Sequence, residues 1–169
     1  MVACEWGPLR VLRNEHGRFT EEGPWPGLAG QTGWWNGLVA GDFDGDGRLD
    51  LIASNWGRNT AGERFRGQPL RLYYGDWRGN GAVDVLEAHW DPGLGQVVPN
   101  RPLDVVRMAL PFVAERYPTF RAYATASVAD VLGDRPQQEL QAAVLETTLF
   151  LNRGERFEPR PLPAEAQHS

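Results

Sequence analysis

Ten residues, Gly41–Asp50 (GDFDGDGRLD), constrain this chain more than any other stretch. Counted from Asp42, positions 1, 3, 5 and 9 are the carboxylates Asp42, Asp44, Asp46 and Asp50, with Gly45 and Gly47 between them. Four negative charges in one tight turn repel one another unless a cation sits among them. Ca²⁺ suits the role, because it takes six to eight oxygens from carboxylates, backbone carbonyls and water in flexible geometry. The expected ligands are the side chains of Asp42, Asp44, Asp46 and Asp50 and the backbone carbonyl of Arg48, with Gly47 permitting the sharp turn at position 6. The competing account is a solvated acidic turn, against which the regular spacing argues.

The flanks define the scaffold. An EF-hand loop needs a bidentate Glu at position 12 and an exiting helix, whereas position 12 here is Ala53. The entry Trp35–Ala40 and the exit Leu49–Ser54 are short and rich in β-branched or apolar residues, so the loop reads as the tip of a β-hairpin.

At 169 residues the chain suits one domain with room for an insertion. Seven Trp and twenty Gly lean towards a turn-rich β protein. The net charge is −5 and no basic run occurs, which argues against nucleic-acid binding. All the basic residues are Arg, read here as compositional bias. Cys4 is the single cysteine, so no internal disulfide forms. The N-terminal stretch MVACEWGPLR lacks the basic start and apolar core of a signal peptide, and no window has the apolar length of a membrane span.

Along the chain, Pro8–Arg13 alternates, Asn14–Gly17 turns and Arg18–Thr20 returns, which is a hairpin. Leu70–Tyr74 and Val85–Trp90 read as strands about a second loop, GDWRGNGAVD (Gly75–Asp84), which shares both ends and the position-6 glycine with the first. Its candidate ligands are Asp76, Asn80, the carbonyl of Ala82, and Asp84. Here Arg78 replaces the position-3 acid: its guanidinium either swings out to water or pairs with the aspartates and takes over the ion's role. A further echo links LRNEHGRF (Leu12–Phe19) to LNRGERF (Leu151–Phe157). Such repetition points to a propeller or solenoid. Between the repeats Leu103, Val106, Leu110 and Val113 recur at helical spacing, Pro111 and Pro118 interrupt, and a shorter helix ends at Leu132 before Gly133. Gln137–Ala143 is expected to add another helical turn before the chain reverts to strand over Val144–Asn152.

The stretch WNGLVAGDFDGDGRLDLIASNWG resembles an FG-GAP/VCBS repeat, the blade unit of integrin-like β-propellers. The remaining segments follow the order seen in large bacterial FG-GAP/VCBS proteins, often with an ASPIC/UnbV-type domain. The resemblance implies a mainly β fold: a partial β-propeller of about two and a half blades with a helical insertion. Its parts are an outer hairpin of a first blade (1–22), the calcium-loop hairpin (34–57), a degenerate loop hairpin (70–91), the helical insertion (100–133) and an outer hairpin (144–162). It further implies calcium as a structural ion and a fragment of a longer exported protein at the cell surface, outside the cell or in the periplasm. Such a fragment is expected to pack on further blades or to self-associate through uncovered faces.

Other features point away from catalysis. His16, His89 and His168 are scattered, which gives no zinc set, and no G-x-S-x-G elbow occurs. Trp25, Trp34, Trp35, Trp56, Trp77 and Trp90 offer faces for sugars, but core and blade packing is the favoured use. The expectation is therefore a non-enzymatic module that is structural or binds a protein or glycan. The alternative is part of a propeller-based polysaccharide hydrolase or lyase, although Glu5, Asp91, Asp104, Glu115 and Asp130 form no recognisable catalytic set.

Overall fold

The computed structural model describes residues 1–58, 60, 63–64 and 67–167. His168 lies outside them. The chain divides into two units, one made of residues 1–66 and 141–169 and the other of residues 67–140.

In the first unit, β1 (Glu5–Gly7) pairs antiparallel with β4 (Gly33–Trp34), and β2 (Val11–Glu15) with β3 (Arg18–Glu22). The β2–β3 turn is reversed by His16 and Gly17, both at positive φ (53° and 90°). This is the geometry of a two-residue hairpin loop. The central sheet has the order β12–β11–β6–β5, from β5 (Gly37–Gly41), β6 (Asp50–Ser54), β11 (Thr148–Asn152) and β12 (Phe157–Pro161). All three pairings are antiparallel. Side chains alternate across a strand, and β6 accordingly buries Leu51 and Ala53 while Ile52 is only half-buried. Phe150, in register with Leu51, is fully buried with Trp35 edge-on to it at 5.7 Å between ring centroids. Leu9, Leu28 and Phe157 complete this core.

The second unit carries the sheet β10–β7–β8–β9, from β7 (Leu70–Gly75), β8 (Asp84–Asp91), β9 (Gln96–Pro99) and β10 (Gln138–Ala142). Between β9 and β10 run α1 (Leu103–Ala109), α2 (Pro111–Arg116), α3 (Phe120–Tyr123) and α4 (Val128–Leu132). Their apolar faces, with Leu103, Val106, Leu110, Val113, Val131 and Leu132, pack into one core with Leu86 and Ala88 of β8. Pro111 separates α1 from α2 by serving as the first residue of the new helix, where its missing N–H costs nothing. Ser127 and Asp130 form a reciprocal capping box at the start of α4.

The mainly β architecture thus matches the sequence expectation, and α1–α4 fall within 100–133. Two points differ. Gln137–Ala143 is not helical: Gln138–Ala142 forms β10, drawn into the sheet by pairing with β7 and by an Arg71–Glu139 ion pair at 2.9 Å. The interruption between repeats is also larger than a helical insertion. The whole of residues 67–140 lies between β6 and β11, which are neighbours in one sheet.

Candidate metal site

The hairpin register sets the first loop. Gly41 of β5 faces Asp50 of β6, and the residues between them form the tip. Gly45 and Gly47 take φ of 77° and 84°, a left-handed conformation that side chains disfavour. These two turns direct successive backbone N–H groups at Asp42. Its Oδ1 accepts from Gly45 N (2.8 Å) and Asp46 N (3.1 Å), and its Oδ2 accepts from Gly47 N (2.9 Å).

Asp50 is fully buried and joins two hairpins. Its Oδ2 accepts from Phe43 N across the loop (2.9 Å), and its Oδ1 accepts from Asn152 N at the end of β11 (2.7 Å). Asn152 returns a bond from Nδ2 to the Leu49 carbonyl (3.1 Å), and Arg48 Nε donates to the Asn152 carbonyl (2.8 Å).

Carboxylate oxygens of Asp42, Asp44 and Asp50 all lie within 4.8 Å of one another, the one such cluster among the described residues. Calcium–oxygen bonds are about 2.3–2.6 Å, so two ligands on one ion lie at most about 5 Å apart. The spacing and the hard oxygen donors therefore fit Ca²⁺. Asp46 is not in this cluster. Its Oδ1 accepts from Arg48 N (2.9 Å) and its Oδ2 pairs with the Arg48 guanidinium. Arg153, on the β11–β12 turn, donates from Nη1 to Asp44 Oδ2 (2.6 Å) and Asp46 Oδ2 (3.3 Å), and from Nε to Glu158 Oε2 (3.2 Å). This guanidinium holds the Asp44 carboxyl below its usual range.

The second loop repeats the frame with different occupants. Gly75 faces Asp84, and Gly79 and Gly81 take φ of 67° and 80°. Asp76 accepts from Asn80 N (3.0 Å) and Gly81 N (2.9 Å), bonds that hold its carboxyl below the ordinary value. Asn80 Oδ1 accepts from Ala82 N (3.0 Å), as Asp46 does from Arg48 N. Asp84 is buried and accepts from Trp77 N (3.1 Å) and Arg78 N (3.2 Å). Its other oxygen accepts from Arg78 Nε (2.7 Å). Of the two alternatives open in the sequence, Arg78 thus turns inward, and it bonds the position-9 aspartate. Two carboxylates remain in this loop, against the three that converge in the first, and Asp84 holds the Arg78 guanidinium.

Sequence reasoning missed Asn152 and Arg153, which reach the first loop from a hairpin about a hundred residues away, and Glu158, which braces Arg153. One signal for them exists. In both echoed hairpins the strand-end Asn accepts from the turn glycine, Asn14 from Gly17 N (2.8 Å) and Asn152 from Gly154 N (2.9 Å). The tryptophans serve mostly as packing. Trp35 and Trp77 are buried, Trp34 stacks on Trp56 at 4.3 Å, and Trp90 is exposed.

The chain thus carries two antiparallel four-stranded sheets, each with a glycine-turned, acid-containing hairpin loop. Residues 1–53 match the family model of an FG-GAP-like repeat, a span that includes the whole first loop. No curated protein and no solved structure matches the chain.

Proposed function

We propose that this chain is a calcium-stabilised β-propeller repeat module with a structural or ligand-binding role. The observation that carries the reading is the convergence of Asp42, Asp44 and Asp50 within the reach of one ion. Asp42 and Asp50 are aimed by backbone amides of the loop and of β11, so the ligand geometry is set before an ion arrives. An ion bound there would supply charge neutralisation, and binding to the folded hairpin alone would stabilise it by mass action. The exit from the loop is β6, at the centre of the sheet, so the benefit reaches the core through Leu51 and Ala53.

The module is read as non-catalytic. Asp91 and Asp130 are engaged as local caps, of the Gly93–Leu94 turn and of α4, rather than gathered about a pocket. The four-stranded sheets are read as propeller blades that work against further sheets of the same kind, in a longer chain or a second copy. Exposed Val39 on the edge strand β5 suits such a contact. An extracellular or periplasmic setting goes with this reading of an FG-GAP-like repeat. No helix among the described residues is long and apolar enough to cross a membrane.

The test is calorimetric titration of calcium with parallel thermal melts in calcium and in chelator. One site is expected, lost in Asp44→Ala, with a higher melting temperature in calcium. Equal melting temperatures in both buffers would overturn the reading.

A further inference from the structure

We propose that Arg153 is a built-in competitor for the cation at the first loop and sets how tightly that loop binds calcium. The inference rests on the calcium reading above and concerns a residue outside the loop, 103 positions beyond Asp50 in the sequence.

Three observations carry it. First, Arg153 Nη1 lies 2.6 Å from Asp44 Oδ2, and Asp44 supplies one of the three clustered carboxylates. A guanidinium and a divalent ion on one carboxylate repel each other, even where each uses a different oxygen. Second, the guanidinium is also held by its own hairpin. Its Nε bonds Glu158 Oε2 at 3.2 Å, and Glu158 is also paired with Arg160 at 2.7 Å. The turn that bears it is fixed by Arg153 N to the Arg156 carbonyl (2.8 Å) and by Asn152, whose backbone N–H bonds Asp50. Arg153 therefore reaches the loop from a braced position. Third, the second loop shows the same replacement carried through within this chain. There Arg78 occupies position 3 and bonds the buried position-9 aspartate at 2.7 Å. In the first loop the cation comes from a neighbouring turn and bonds exposed Asp44, so an ion can displace it.

A unit charge and a divalent ion about 6 Å apart interact by about 1.4 kcal/mol in bulk water, which is a ten-fold change in affinity. Removing the Arg153 charge is thus expected to tighten calcium binding about ten-fold.

The experiment measures calcium affinity by calorimetry at fixed ionic strength for the full chain, Arg153→Gln, Arg153→Lys and Arg156→Gln. Arg156 is exposed on the same turn, so its variant makes the same change in net charge from another position. The expected result is about ten-fold tighter binding for Arg153→Gln, little change for Arg153→Lys, and less than two-fold change for Arg156→Gln. Equal affinities for the full chain and Arg153→Gln would overturn the inference while leaving the calcium site standing. Weaker binding in Arg153→Gln would show that Arg153 positions Asp44 for the ion, the opposite role. Matching gains in Arg153→Gln and Arg156→Gln would reduce the effect to net charge and also overturn it. Absence of binding in the full chain and in Arg153→Gln alike would remove the calcium reading itself.

Discussion

Replacing Asp50 separates two opposing effects in the metal-free protein. Its carboxylate is fully buried and accepts from Phe43 N at 2.9 Å and Asn152 N at 2.7 Å. Hydrogen bonds to charged groups contribute about 1.5–3 kcal/mol each, and a buried donor left unpaired is costly in its own right. Asp50→Ala removes both bonds and is expected to cost about 3–5 kcal/mol on that account. Against this, the loss of one charge relieves repulsion from Asp42 and Asp44, whose oxygens lie within 4.8 Å. At about 1 kcal/mol per pair in high dielectric, the relief amounts to about 1–2 kcal/mol. The bonds win, and the net cost in chelator is about 2–3 kcal/mol. Asp50→Asn gives the same charge relief but keeps one acceptor, so it falls between wild type and Asp50→Ala. Its amide –NH₂ would face a backbone N–H, donor against donor. Denaturant melts of the three proteins in chelator measure this, and in calcium the penalty of both variants should grow because the repulsion term disappears. If Asp50→Ala in chelator were neutral or stabilising, repulsion would outweigh the hydrogen bonds and the reasoning would fail.

Arg78→Asp combined with Asn80→Asp restores the acid pattern of the first loop and is expected to create a second calcium site, raising the calorimetric stoichiometry from one to two; an unchanged stoichiometry would mean that loop geometry, not charge, is limiting. Phe150→Ala empties a fully buried ring position beside Trp35 and should cost about 3–5 kcal/mol in denaturant melts. Ser127→Ala breaks the α4 capping box and should cost about 1 kcal/mol at neutral pH. The Ser127 side-chain and backbone hydrogen bonds hold the Asp130 carboxyl below its usual value. A depressed folded-state pKa contributes stability above the unfolded value, about 3.9 for Asp, and that stability fades as pH falls through the folded value. The gap between wild type and Ser127→Ala should accordingly narrow in melts taken below about pH 4, and a gap that widens there would contradict the assignment.

The sequence by itself determined the chemistry of the loops and the hairpins that carry them. Acidic spacing, left-handed glycines and flanking apolar strands are local properties, written within about twenty residues. They place Gly41 opposite Asp50 and Gly75 opposite Asp84 without reference to the rest of the chain. The breaks in the helical stretch were legible for the same reason, since Pro111 acts on its own backbone. The identity of the partners was not legible. Strand β6 pairs with β11 across all of residues 67–140, and it is that pairing which brings Asn152 to Asp50 and Arg153 to Asp44. Likewise Gln138–Ala142, with no strong period of its own, became a strand because the edge of β7 offered it hydrogen bonds. Pairing energy belongs to two segments at once, so no single window of sequence contains it. Only the tertiary structure decided that a guanidinium from a distant turn would stand beside the acids of the first loop.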